Sequence, residues 1–180
     1  MNFNLSRRAL SISPSLTLEI TAKAQEMKNN GIDIIGFGAG EPDFDTPVNI
    51  QNVGIQAIKE GKTRYTAASG IPELKKAICD KLKTENDLDY EVSNILVSSG
   101  AKHSIFNAFY AIINPKDEVI VPVPYWVSYP EFVTIVGGVP VLVETKEENG
   151  FKYTKEPLEN AITENTKAII LDSPSNPTGT

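Results

Sequence analysis

From Ile71 onward the sequence alternates, at short and regular intervals, between helical periodicity and brief apolar runs of strand type. A helix is predicted near 72–86, then a strand ILVSS, a helix over 101–113, a strand EVIVP and a helix near 126–136. A strand PVLVE, a helix near 155–163 and a strand KAIIL follow. Strands separated by helices of this length need crossover connections, so the strands run parallel and helices cover both faces of the sheet. The expected class is therefore α/β. Residues 1–65 read differently. Ser15 is an N-cap for a helix over 15–29 that stops at Asn29-Asn30-Gly31, DIIGF at 33–37 is a strand candidate, and a second helix starts at Pro47 and ends near Gly61. The loop between them, rich in Gly, Pro and Asp, carries no periodicity. A smaller first unit and a larger second one, dividing near residue 65, are expected.

Composition narrows the function. With 41% hydrophobic residues in 180, the chain can build a real core, and 17 Lys plus Arg against 23 Asp plus Glu leave a net charge of −6. That balance disfavours nonspecific binding to nucleic acid or to anionic lipid, both of which need surplus basic charge. Cys79 stands alone, so neither a disulfide nor a thiolate metal site is expected within one chain. Pro14, several serines and Glu19 interrupt the stretch after Arg7 and Arg8 before it could serve as a signal-peptide core, and no apolar run is long enough to span a bilayer. A cytoplasmic protein working on small molecules, away from membranes, is the expectation.

In open α/β sheets ligands bind beyond the carboxyl ends of strands. After ILVSS comes Gly100-Ala101-Lys102-His103-Ser104; after EVIVP, Val123-Pro124-Tyr125-Trp126; after KAIIL, Asp172-Ser173-Pro174-Ser175-Asn176. Ser98 and Ser99 can cap the following helix, Gly100 permits close approach, and first-turn N–H groups attract anions. Lys102 opposes the helix dipole at a cost of roughly 0.3–1 kcal/mol unless a negative group lies nearby. It either points to solvent or faces an anion. His103 reads best as a plain helix-surface residue. Trp126 can stack on a planar ligand or fill the space between sheet and helix, and Asn176 can donate to a ligand oxygen or close an Asx-turn. Known phosphate motifs are not met. GxxxxGK[ST] is absent, and Gly36-Phe37-Gly38-Ala39-Gly40-Glu41 breaks the dinucleotide pattern at Glu41, with Pro42 preventing a helix. Together the strand ends describe a phosphate anchor, a stacking plate and an oxygen donor, which suits a flat phosphorylated heteroaromatic cofactor.

GAGEPDF, SSGAKHSIFNAF, PYWVSYPE and SPSNPTG, in this order, resemble the N-terminal half of a class I, aspartate-type bacterial aminotransferase that uses pyridoxal 5'-phosphate. The resemblance covers essentially the whole chain. It implies the aspartate aminotransferase-like fold, with 1–65 as N-terminal arm and part of the small domain and 66–180 as an incomplete large cofactor-binding domain. It implies that the amides of Gly100, Ala101 and Lys102 receive the cofactor phosphate, that Trp126 stacks on the ring, and that Asn176 hydrogen-bonds the phenolic oxygen. Tyr65 matches a tyrosine that reaches the phosphate of the partner subunit in a homodimer, and Gly40 a loop glycine that meets the substrate α-carboxylate. Ser15, Thr17 and Lys102 match a pocket for the distal carboxylate of aspartate or glutamate, the amino group passing to a 2-oxo acid. Val123-Pro124 and Asn176-Pro177 are expected to be cis.

No residue is assigned a catalytic role and no metal is implied, because the Schiff-base lysine, the aspartate at the ring nitrogen and the α-carboxylate arginine come later in the family's sequences. The 180 residues alone are accordingly expected to expose apolar surface, to associate or be unstable, and to be inactive in transamination. Other readings stay open: a non-catalytic binding or regulatory module on the same fold, or another pyridoxal phosphate reaction such as a C–S lyase or a synthase.

Overall fold

The computed structural model describes residues 4–38 and 40–180, so Ala39 of the GAGEPDF loop lies outside the described residues. Its elements are α1 (Arg7–Leu10), α2 (Leu16–Asn29), α3 (Val48–Lys59), α4 (Pro72–Asn86), α5 (Gly100–Ile112), β1 (Glu118–Val123), α6 (Ser128–Val136), β2 (Val139–Glu144), α7 (Lys155–Ala161) and β3 (Thr166–Ile169). Short 3-10 turns occupy Val92–Asn94 and Glu147–Asn149. Contacts divide the chain into two units, Met1–Ala39 with Ile105–Thr180, and Gly40–Ser104.

The sheet has the order β2-β1-β3 and both pairings are parallel. β1 and β2 keep register from Glu118 opposite Val139 to Val123 opposite Glu144, whereas the β1–β3 ladder shifts between Glu118 and Val119. β1 reads as a continuous apolar run because both its faces are covered: Val119, Ile120 and Val121 have no exposed surface. Each such side chain contributes about 1.5–3 kcal/mol relative to exposure. β2 and β3 are less buried and carry mixed patterns. Phe109 and Ile113 at the end of α5, Val119 of β1 and Val133 of α6 form the core cluster, with Ile105, Phe132, Val136, Ala168 and Ile170 packed against it.

Local signals account for the helix ends. The Ser15 hydroxyl accepts from the Leu18 N–H at the start of α2, and Pro72 opens α4 as its first residue. α6 stops at Gly137, whose φ of 94° only glycine adopts without strain, and the adjacent Gly138 is required by space: a Cβ there would lie 2.7 Å from Ile113. The N-terminal segment is tied to α6 by the Ser13 N–H, which donates to Glu131 Oε2 at 3.1 Å.

Several expectations need correction. DIIGF forms no strand; Ile35 and Phe37 are largely exposed, and an apolar run becomes a strand only where a ladder partner meets it. ILVSS likewise forms no strand, and its backbone is held by a Val97 N–H to Ser69 carbonyl bond of 2.9 Å. Apolar residues nearly all round α5 predict a buried helix, yet Phe109 is inside whereas Tyr110 and Ile112 are exposed.

Candidate functional site

Strand order decides where to look. From β1 the chain passes through α6 to β2 on one side, then returns through α7 to β3 on the other. Connections that diverge from neighbouring strands leave a crevice beyond their carboxyl ends. β1 and β3 border that switch point. Beyond β1 lie Val123-Pro124-Tyr125-Trp126; beyond β3 lie Leu171, Asp172 and the Ser-Pro-Ser-Asn-Pro turn. Val123-Pro124 and Asn176-Pro177 are cis as expected, and Ser173-Pro174, for which no isomer was expected, is cis as well.

At the β1 end, Trp126 is half-buried against an aromatic wall. Its ring meets Tyr129 edge-on at 5.3 Å and 87°, and Phe132 at 5.9 Å and 71°. Phe132 in turn packs against Phe106 at 6.4 Å. Edge-to-face contacts of this kind fix the plane of the indole. Tyr129, in the first turn of α6, is buried, and burial followed by a hydrogen bond to the Asp172 carboxylate pushes its phenol up to about 12.

The β3 end is organised by Asp172. Its Oδ2 accepts from the Asn176 N–H at 2.9 Å, and Gly179 N–H closes the turn onto the Ser175 carbonyl at 2.7 Å. The Asn176 backbone is held, so the turn does not depend on the Asn176 amide, which is exposed. Beside it is a cavity of about 360 Å³ lined by Pro122, Tyr153, Leu171, Asp172, Ser173 and Ser175 among others. The Tyr153 hydroxyl donates to the Ile170 carbonyl at 3.1 Å, and burial raises its phenol well above the usual range.

In the Gly40–Ser104 unit, α5 begins at Gly100 with φ of 80°. A Cβ at Gly100 would touch nothing within 4 Å, so glycine is required there for its backbone conformation and not for room. The helix start is held by His103, whose Nδ1 accepts from the Ser99 N–H at 3.1 Å. His103 is thus an exposed helix residue with a local capping role. The first turn contains Lys102 and no acidic side chain, and its N–H groups at the start of a 13-residue helix suit a phosphate dianion. Tyr65 is fully exposed, and Gly40 is exposed as well.

Ser15 and Thr17, half-buried at the start of α2, are in the other unit. Because the Ser15 oxygen accepts the capping bond, its O–H remains a donor. The structure therefore brings Trp126 and Asn176 to adjacent strand ends, and places Gly100, Ala101, Lys102, Tyr65 and Gly40 in one unit, Ser15 and Thr17 in the other. Sequence reasoning missed Tyr129 and Tyr153. The aromatic three residues past Trp126, on the face of a helix beginning at the strand end, was the available signal for the first; nothing local pointed to the second.

Strand order and crevice define an α/β chain of the doubly wound class. The chain belongs to the aminotransferase class I and II family, whose model matches residues 32–180. It is 54% identical over 175 residues to an aspartate aminotransferase of Bacillus sp. (strain YM-2), a match covering 97% of this chain and 45% of that protein. A probable aspartate/prephenate aminotransferase of Aquifex aeolicus is 52% identical, with 99% of this chain and 45% of that protein covered. Among solved structures, the aspartate aminotransferase of Thermus thermophilus with maleate superposes with a TM-score of 0.94 at 46% identity, covering 98% of this chain and 46% of that one. An aspartate aminotransferase of Rhizobium meliloti gives 0.92 at 49% identity. The fold is that of the aspartate aminotransferases, and the chain spans under half the length of the relatives it matches. No helix among the described residues is long and apolar enough to cross a membrane.

Proposed function

We propose that this chain contributes the cofactor-holding part of an aminotransferase that moves an amino group between a dicarboxylic amino acid and a 2-oxo acid by means of pyridoxal 5'-phosphate. The observation that carries the reading is the convergence of Trp126 and the Asn176 turn beyond the carboxyl ends of the neighbouring strands β1 and β3. The donor set fits this cofactor: an acid-free helix start with a lysine for the phosphate, an indole of fixed plane for the ring, and an exposed amide for the phenolic oxygen.

Each residue then has a task. The amides of Gly100, Ala101 and Lys102 bind the phosphate and thereby anchor the ring. Trp126 orients the ring and keeps water from one of its faces. Asn176 donates to the phenolic oxygen, and Tyr65 reaches the phosphate of the partner subunit in a homodimer. When bound, the cofactor accepts the electron pair left as the substrate loses its α-proton. Gly40 meets the α-carboxylate, and Lys102 with the hydroxyls of Ser15 and Thr17 holds the distal one through charge-assisted hydrogen bonds. Maleate, present in the Thermus structure, and prephenate, named for the Aquifex relative, both carry two carboxylates. In this reading residues 1–65 form the arm and part of the small domain, 66–180 belong to the large domain, and the protein works in the cytoplasm.

The test is substrate discrimination in the full-length enzyme of which this chain is the cofactor-holding part. Lys102→Ser is expected to lower kcat/KM for aspartate by about 10–100-fold, the worth of one charge-assisted hydrogen bond, and to affect an aromatic amino acid much less. Equal losses for both substrates would remove Lys102 from the distal pocket. Absence of any aspartate to 2-oxoglutarate exchange in the full-length enzyme would sink the reading as a whole.

A further inference from the structure

We infer that Glu131 is a positioning residue for substrate selection: its carboxylate fastens the segment 13–17 to α6, the helix that also fixes the plane of Trp126. The inference rests on the reading of Ser15 and Thr17 as contacts of the distal carboxylate, and it says what holds them in place relative to the cofactor ring.

The segment is short and stiff. The Ser13 N–H donates to Glu131 Oε2 at 3.1 Å, across 118 positions of sequence. Pro14 comes next; its ring fixes its own φ, removes one backbone donor and keeps Ser13 out of the helical region. Ser15 follows, extended at φ −74° and ψ 107°, and caps α2 through its Oγ. Two residues reach no more than about 7 Å, so a bond at Ser13 limits where the Ser15 hydroxyl can lie. On the other side of the segment α1 also lies against α6.

α6 is the shared support. Its Tyr129 and Phe132 meet the indole of Trp126 edge-on at 5.3 and 5.9 Å, and the Tyr129 N–H donates to the Trp126 carbonyl at 2.9 Å. Glu131, half-buried, stands between them in sequence and reaches the other way, to Ser13. One nine-residue helix therefore sets both the ring contact and the start of α2. Glu131 also lies in the first turn of α6, where a negative charge favours the helix dipole. A residue serving only the dipole would have no effect on which substrate is chosen. A carboxylate this close to a pocket for another carboxylate gains nothing there from its charge. What the segment needs is an acceptor, which a glutamine also supplies. Side chains that must meet a ligand within a fraction of an ångström need supporting contacts of this sort.

The experiment compares aspartate with an aromatic amino acid in the full-length enzyme. Glu131→Ala is expected to lower kcat/KM for aspartate about three- to tenfold, the loss of one hydrogen bond, and that for the aromatic substrate by less than about twofold. Glu131→Gln, which keeps an acceptor, should stay within about twofold of the unaltered enzyme for both. Pro14→Gly loosens the link and leaves Glu131 in place; it should repeat the aspartate-selective loss, and serves alone if Glu131→Ala does not fold. Hydrogen exchange, followed by mass spectrometry, should rise at the Ser13 amide in Glu131→Ala and not over residues 119–121. Equal losses for both substrates overturn the inference, and so does a loss in Glu131→Gln as large as in Glu131→Ala. Faster exchange at Ser13 with unaltered discrimination also overturns it, since the segment would be tethered without serving the substrate. Ser15→Ala separates the two readings. If it spares aspartate, the distal pocket fails and the inference with it; if it harms aspartate and Glu131→Ala does not, the inference alone falls.

Discussion

The strand β1 and the helix α2 are both written in aliphatic residues, yet they end in opposite environments. Val119, Ile120 and Val121 are wholly buried; Leu16, Leu18 and Ile20 are more than half exposed. β1 is the richer, with four apolar positions of six against six of fourteen in α2, but the leucines and isoleucine of α2 are individually as apolar as the residues of β1, so residue type alone does not decide burial. β1 is paired on both edges and covered on both faces, and every side chain along it finds neighbours. In α2 the apolar residues fall two apart and are therefore distributed around the helix instead of along one stripe, and no residue of the helix is buried. A helix of this kind gains little from its own unit. The sheet carries the stability of the Ile105–Thr180 segment, and it is this sheet that aims Trp126 and Asn176.

The largest test of this contrast is a pair of truncations. Ile120→Ala should lower unfolding free energy by about 2–5 kcal/mol, as burial and a new cavity require, whereas Ile20→Ala should change it by no more than about 0.5 kcal/mol. Urea unfolding of the full chain measures both, and equal losses would erase the distinction. Glycine substitutions sharpen it next. Gly138→Ala puts a methyl 2.7 Å from Ile113, 3.0 Å from Val133 and 3.1 Å from the Asp117 carbonyl. Such overpacking should cost about 1–3 kcal/mol. Gly54→Ala, in the middle of α3 with nothing within 4 Å, should instead stabilise that helix. The gain is bounded by the helix preference of alanine, at most about 1 kcal/mol. Loss at both positions would mean that α3 is packed more tightly than its exposure indicates.

The smallest expected effect is one of pH. Burial, and then Asp172, raise the Tyr129 phenol from its ordinary value of 10.0 to about 12. A folded-state value above the unfolded one means that the folded chain holds this proton more tightly. The associated stability is fully present below pH 10, declines as pH rises above it, and is gone beyond about 12. Tyrosinate absorbance should therefore include a late component that Tyr129→Phe diminishes, the remainder belonging to the half-buried Tyr153. A full complement of phenols ionised near pH 10 in the folded protein would contradict the burial of Tyr129.

Much of this architecture was legible in the sequence for identifiable reasons. Pro72 at a helix start and Gly137 at a helix end act through their own backbone preferences, so α4 and α6 end close to where those residues stand. The run VIV in β1 announced a strand buried on both faces. DIIGF and ILVSS carried the same kind of signal and did not become strands, because pairing depends on a partner that no local pattern contains. At the site, Trp126, Asn176 and the helix start at Gly100 were legible from their place after apolar runs. Tyr129 was not, since nothing in the local pattern separates a buried tyrosine from an exposed one such as Tyr110.

What the sequence by itself determined was the inventory: an α/β alternation, the helix boundaries set by Ser15, Pro72 and Gly137, and the chemical types waiting at the strand ends. Those follow from backbone preference and side-chain chemistry, which act over a few residues. Only the tertiary structure decided that β1 lies between β2 and β3, and hence that the loops after β1 and β3 are neighbours. Strand order is settled by which apolar faces bury one another across the whole fold, a long-range balance that also buries Tyr129 and leaves α2 exposed.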